Sequence, residues 1–353
     1  MPGDVSKAEG GDAGQRPPSI AGHARLRAAA GAITRSSLTF LAILTIVFVL
    51  PRAMPGDPIQ ARTDAGGTNF VADAEIRARL LAYYKLDRPL VTQYGEYLVR
   101  VVHGDLGWSI SRNEPVRGII GQHLPWTLLL MGASLAISSS LSFIAGIGAA
   151  WHRGKARDLL MVTAMTGANV LPAYVVATHL LLLFAVLIPV LPLAGAQVPF
   201  AEYPDPLAAA SDLGRHLILP ATALAVGQLG GMFLMIRNTT LGVLGSDYMV
   251  LSRAKGLSDR RLKYHHAGRN ALLPFLAVLG LYIGFAVGGA LFVETVFGYP
   301  GMGSLILEAV KQLDYPLLEG CFLTLAAAVL LANLGIELVS ARLDPRVGSA
   351  ARA

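Results

Sequence analysis

"SRAKGLSDRRLKYHHAGRNALLP" runs from Ser252 to Pro274, a basic, glycine-punctuated stretch set between two long apolar runs. Residues 247–255 favour a helix: Asp247 stands in the first turn, Arg253 and Lys255 in the last, and each complements the helix dipole. Gly256 suits a position just past the helix end with positive φ. Ser258 and Asp259 suit the N-cap and first turn of a second helix over 259–268. Pro274 marks where the next apolar run begins. The expectation is two short helices meeting at a glycine corner. Tyr248, Val250, Leu251, Ala254 and Leu257 put an apolar patch on this polar segment, and such a patch calls for a partner to cover it.

Composition decides where the segment sits. Of 353 residues, 54% are hydrophobic and only 15% charged, where a soluble domain carries about 25% charged residues. Mean hydropathy is +0.53, and several apolar runs exceed the ~18–20 residues that cross a bilayer as helix. The chain reads as an integral membrane protein. Backbone groups in lipid must bond internally, which leaves helices or closed barrels. Barrel strands alternate over ~10 residues, whereas these runs are continuously apolar, so the fold class is all-α. Six spans are predicted, at about 33–51, 126–150, 159–190, 217–236, 272–296 and 317–339. Asn169 and Pro172 interrupt the third, which predicts a re-entrant or tilted part. Residues 1–30, rich in Gly, Ala, Ser and Pro, read as a disordered tail. They do not read as a cleaved signal, because the apolar run starts late and ends in Pro51-Arg52.

Lys and Arg in the short loops set the orientation. The loop after span 2, "WHRGKARD", holds Arg153, Lys155 and Arg157. The loop after span 4 holds Arg237, Arg253, Lys255, Arg260, Arg261, Lys263 and Arg269 against Asp247 and Asp259. The loops after spans 3 and 5 carry one basic residue each, Arg215 and Lys311. Both termini are therefore expected in the cytoplasm, with the 246–270 segment beside them. The long segment 52–124 is expected outside, with one or two amphipathic helices in 75–102. As the one large extracytoplasmic segment expected, it is the part expected to meet an external partner.

The residues for catalysis are thin. Cys321 is alone, so neither a disulfide within the chain nor a CxxC metal pattern exists. The nearest approach to a phosphate-binding GxxxxGK[ST] is Gly154-Lys155, but Ala149 and Ala156 break it. His265 and His266 are adjacent, hence about 100° apart on a helix, where a metal pair needs i, i+4 spacing. An ion-coupled carrier keeps ionisable groups at mid-membrane; here the spans offer His179, with Glu294 and Glu337 near span ends. An intramembrane hydrolase would need a Ser–His or paired-Asp constellation, and Ser134 and Ser138–Ser140 have only His179 as a span histidine. The basic loop fits anionic lipid and a protein partner better than nucleic acid.

The quoted stretch resembles the coupling loop of ABC importer permeases, in the version found in the dipeptide, oligopeptide and nickel permease family. Arg253, Ala254, Lys255, Gly256, Leu257, His266, Arg269, Asn270, Ala271, Leu272, Leu273 and Pro274 stand at matching positions, and Ser252 replaces the usual Ala. "MPGDP" from Met54, "HGDLGWS" from His103, "LPWTLLL" from Leu124, "ETVFGYPGMG" from Glu294, "DYPLLEG" from Asp314 and "LDPRV" from Leu343 follow in family order. The resemblance implies a type I importer fold. Residues 31–121 would be the first helix and external loop, 122–342 the permease domain, and 1–30 and 343–353 cytoplasmic tails. It implies a transport subunit with no cofactor of its own, since partner ATPase chains would bind ATP. The implied partners are a second similar permease, two ATPases and an extracytoplasmic solute-binding protein. The implied cargo is a di- or oligopeptide, with nickel chelates, glutathione and sugars carried by relatives. On the same grounds Tyr248, Leu251, Arg253, Ala254, Lys255, Gly256, Leu257, His266, Arg269, Asn270 and Pro274 would form the ATPase-coupling surface.

Overall fold

A computed structural model of the chain describes residues 38, 40–56 and 74–343. Both tails, residues 33–37 and 39 of the first expected span, the end of "MPGDP" and most of "LDPRV" lie outside the described residues, as does the side chain of Glu337.

The regular elements are helical. They are α1 (Phe40–Arg52), α2 (Ala74–Tyr83), α3 (Leu90–Val102), α4 (Val116–Trp151), α5 (Ala156–Ala168), α6 (Ala173–Leu181), α7 (Pro206–Leu244), α8 (Asp247–Ala254), α9 (Arg269–Val296), α10 (Met302–Lys311) and α11 (Tyr315–Leu343). Two π-helical segments, Leu182–Leu187 and Arg261–Gly268, extend α6 and lead into α9. Among the described residues, four helices are long and apolar enough to cross a membrane, lying in α4, α7, α9 and α11, and the bent pair α5–α6 makes a fifth candidate. Its two halves meet at 93°. The break is where the sequence places Asn169 and Pro172: Pro172 has no N–H to give a helix and holds extended backbone, φ −57 and ψ 144. The described part of the first span, α1, is about 20 Å of helix.

Hydropathy found the apolar middle of the long helices and missed their ends. α4 has 36 residues and α7 has 39, about 54 and 58 Å at 1.5 Å per residue, against a hydrocarbon core of about 30 Å. α7 starts at Pro206 because Asp205 caps it, its carboxylate accepting from Ala208 N–H at 2.7 Å. It ends at Leu244, so Arg237, read from sequence as a loop cation, lies inside the helix. There it makes a two-pronged pair with Asp158 of α5, Nε to Oδ1 at 2.7 Å and Nη2 to Oδ2 at 2.8 Å.

The α4–α7 seam is the spine. Gly146 lets Ile236 and the Phe233 backbone approach α4, while Ser138 Oγ donates to Gln228 Oε1 at 3.0 Å and Ser142 Oγ to Leu229 O at 3.2 Å. Membrane helices gain little from hydrophobic exclusion among themselves, so small residues and such bonds hold them. Gly230 likewise receives the break of the fifth candidate span, at Asn169 and Met165. Of the one or two amphipathic helices expected in 75–102, two helices form, α2 and α3, and only α3 is strongly amphipathic. α3 lays Tyr97 on Leu44 and Phe48 of α1.

Candidate functional site

The quoted segment sits where α4, α7 and α9 end together. Met249, Leu262 and Ala267 are buried against Trp151 of α4, Val243 and Leu244 of α7, and Leu257. α8 forms as the charges predict, with Asp247 in its first turn and Arg253 in its last. The chain then turns at Gly256, whose φ is +74 and whose N–H bonds to Arg253 O at 2.9 Å. Leu262 N–H bonds to Ser258 O at 3.0 Å, which opens the next helix at the expected residue.

That second helix is not a separate short element. It runs from Asp259 through the π-helical segment straight into α9, and Pro274 lies inside the helix instead of starting it. The proline ring is tolerated there because a membrane helix re-satisfies freed backbone groups by local π adjustments, and the wider turns lie just before it. The elbow is therefore one short helix joined through glycine to a continuous helical rod that carries the apolar α9 segment.

A side-chain clamp closes the elbow. Asn270 Nδ2 donates to Tyr248 Oη at 2.7 Å and to His266 O at 2.8 Å. The Arg253 guanidinium lies over the Trp151 ring, 5.5 Å from its centroid, a cation–π contact that ties α8 to α4. Burial pushes the Tyr248 phenol above its usual range, which keeps it a neutral partner for Asn270.

The residues singled out from sequence divide accordingly. Leu251, Ala254, Lys255, Gly256 and Arg269 are exposed, as is Arg253 over its ring, and Tyr248 is partly so. Leu251 and its neighbour Val250 are 57% and 65% exposed, an apolar strip edged by cations. Leu257, expected in that strip, is half-buried in the anchoring cluster because the glycine corner turns it inward. His266 contributes its carbonyl, Asn270 the clamp, and Pro274 a place on the rod. The sequence did not mark Met249, Leu262 or Trp151 as anchors. A methionine and a leucine thirteen residues apart become neighbours only once the corner folds.

The opposite end of the bundle joins the other motif blocks. Asp314, fully buried, accepts from Ser109 Oγ at 2.5 Å, Ser111 N–H at 2.9 Å and Ser111 Oγ at 2.7 Å on one oxygen, and from Leu317 N–H at 3.1 Å on the other. Glu294, also fully buried, takes Thr127 Oγ1 at 2.6 Å and the N–H groups of Gly303 and Ser304 at the start of α10. A carboxylate at a helix N-terminus meets unpaired donors and the positive end of the dipole. "HGDLGWS" thus meets "DYPLLEG", and "LPWTLLL" meets "ETVFGYPGMG".

The fold is a bundle of apolar helices, locked at one end and carrying at the other a clamped elbow with an exposed apolar strip. The chain belongs to the family described as binding-protein-dependent transport system inner membrane component, whose model matches residues 142–349. It is 38% identical over 309 residues to a Brucella ovis protein provisionally named a peptide permease, covering 87% of this chain and 94% of that one. It is 32% identical over 322 residues to the di/tripeptide transport system permease DppB of Pseudomonas aeruginosa, covering 88% and 95%. It is 32% identical over 326 residues to the dipeptide transport system permease DppB of Escherichia coli K12, again covering 88% and 95%. The chain is thus an inner-membrane permease component, the non-catalytic part of a transport system that depends on a binding protein.

Proposed function

We propose that this chain forms half of the translocation path of an ATP-driven importer of di- or oligopeptides. It pairs with a second, similar permease, two ATPase chains and an extracytoplasmic solute-binding protein. The observation that carries this reading is the clamped elbow: its exposed strip at Val250 and Leu251 is the surface an ATPase would cover, and its second arm is continuous with α9. The peptide cargo is supported by the names of the relatives above. Growth on single peptides as nitrogen source, compared between a deletion strain and its complemented form, tests it. Restored growth on di- or tripeptides is expected; restored uptake of nickel, glutathione or a sugar, with none of peptides, would assign another cargo.

The proposed topology counts α1 as a sixth span, places both termini and 246–270 in the cytoplasm, and places 52–124 outside, where it meets the binding protein. The division into a first helix with its loop (31–121) and a permease domain (122–342) belongs to the same proposal. Cys321 is buried, so single cysteines in a Cys321→Ser background can be mapped with an impermeant thiol reagent. Position 87 is expected to label from outside in intact spheroplasts and position 258 only after lysis; the reverse pattern would sink the topology.

A further inference from the structure

At the end of the bundle away from the elbow, the α2–α3 segment and the start of α11 enclose a cavity of about 260 Å³. Arg52, Lys85 and Arg100 line it against two carboxylates, Glu96 and Glu319, with Trp108 among its walls. The carboxylates are largely committed. Glu319, with a side chain 5% exposed, bonds Arg52 through Oε1. Glu96 is shared by Lys85, at 3.2 Å, and Arg88. Among the described residues Arg100 is the least engaged of the three cations. Its Nη2 stands 3.9 Å from Glu319 Oε2, too far for a hydrogen bond. Its Nε is buried without a partner. The same residue borders a second, more open cavity of about 550 Å³, beside His103, Trp108 and Arg117. Asp105, on that cavity's wall, is engaged with the N–H of Gly107 at 2.9 Å. A guanidinium held, among the described residues, only by a long ion pair to Glu319, in a cavity where three cations face two carboxylates, has donors to spare for an anion. Its planar fork matches a carboxylate in two-pronged geometry.

We infer that Arg100, with Lys85 beside it, receives an Asp or Glu side chain presented by the solute-binding protein. The inference rests on the function and orientation proposed above. The charge surplus supplies the complementarity. The rim belongs to α2 and α3, the part of this end that stands outside the membrane-spanning helices. Such a contact would act on docking rate and register, as rim charges do.

The test uses the full transporter in nanodiscs, titrated with the binding protein of the same system. Arg100→Glu combined with Lys85→Glu is expected to weaken binding by at least about tenfold. Raising salt should weaken the parent and strengthen the double variant, because salt screens attraction to the acid in the first and repulsion from it in the second. Arg79→Glu, on α2 but outside the cavity, should bind like the parent. A photocrosslinking residue in place of Tyr83 locates the acid on the binding protein, and reversing that acid to Arg should restore binding to the double variant. If the parent itself does not bind the binding protein, the functional proposal fails. If the parent binds and the double variant binds equally well, the pocket inference fails alone. Quenching of Trp fluorescence by N-acetyl-dialanine that is lost in Arg100→Gln, with binding-protein affinity unchanged in that variant, would give the pocket to a free carboxylate and overturn the docking inference.

Discussion

Replacing Gly256 with valine is expected to cut transport and transport-coupled ATP hydrolysis together, by about tenfold, while membrane insertion stays near the parental level. The reason is confined to the backbone. Gly256 has φ +74, and a Cβ added there would meet nothing within 4 Å. Space is therefore not the constraint. The left-handed conformation is, and for a β-branched residue it costs roughly 1–3 kcal/mol, where 1.4 kcal/mol is a factor of ten in population. The strain falls on the elbow, because the anchoring residues Met249 and Leu262 lie on either side of it. Pull-down of the ATPases should weaken in parallel. Gly256→Asn should retain most activity, since Asn enters this region with less penalty. Asn270→Ala, which removes the clamp to Tyr248 but leaves the corner, should fall between the two. A Gly256→Val chain that inserts, holds its ATPases and transports at the parental rate would remove the elbow from the mechanism.

Asp314→Ala is expected to lower stability in detergent by about 3–5 kcal/mol, because the loss of one buried charged acceptor strands several donors at once. Ser109, Ser111 and Leu317 all bond to this side chain, which is fully buried. The damage should be local to the end away from the elbow, where Ser109 and Ser111 hold the 103–115 segment against the start of α11. Limited proteolysis should cut that segment sooner, and the melting temperature should fall by at least about 5 °C, given ~2–4 °C per kcal/mol for domains of 150–250 residues. Asp314→Asn should cost less. Its single carbonyl can serve the three donors now on Oδ2, but its NH₂ then faces the Leu317 N–H. Melting and proteolysis of the alanine variant unchanged from the parent would show that the bonds at Asp314 hold nothing together.

Much of this protein is written locally. Span positions follow from apolar run length, since the bilayer sets a minimum that no soluble segment needs to meet. Pro172 dictates the broken span by lacking a donor, and Gly256 dictates the corner by lacking a Cβ. These are properties of a residue and its near neighbours, so a string of letters carries them. The motif blocks also stood in order along the chain, which was enough for the family.

Tertiary structure decided what those letters do to each other. Asp314 and Ser109 are 205 positions apart, and no local preference names either as the other's partner. Arg237 read as a loop cation because hydropathy measures lipid compatibility, while the length of α7 is fixed by its cap and by the Asp158 pair. Pro274 read as a boundary because proline usually ends helices; π-helical turns ahead of it let the rod continue. Lys85 and Arg88 were both cations in the sequence, as was Arg100. Only the folded arrangement shows that the first two share Glu96 and that Arg100 keeps just a long, 3.9 Å ion pair to Glu319, because pairing depends on distance in space and charge alone is what a sequence reports.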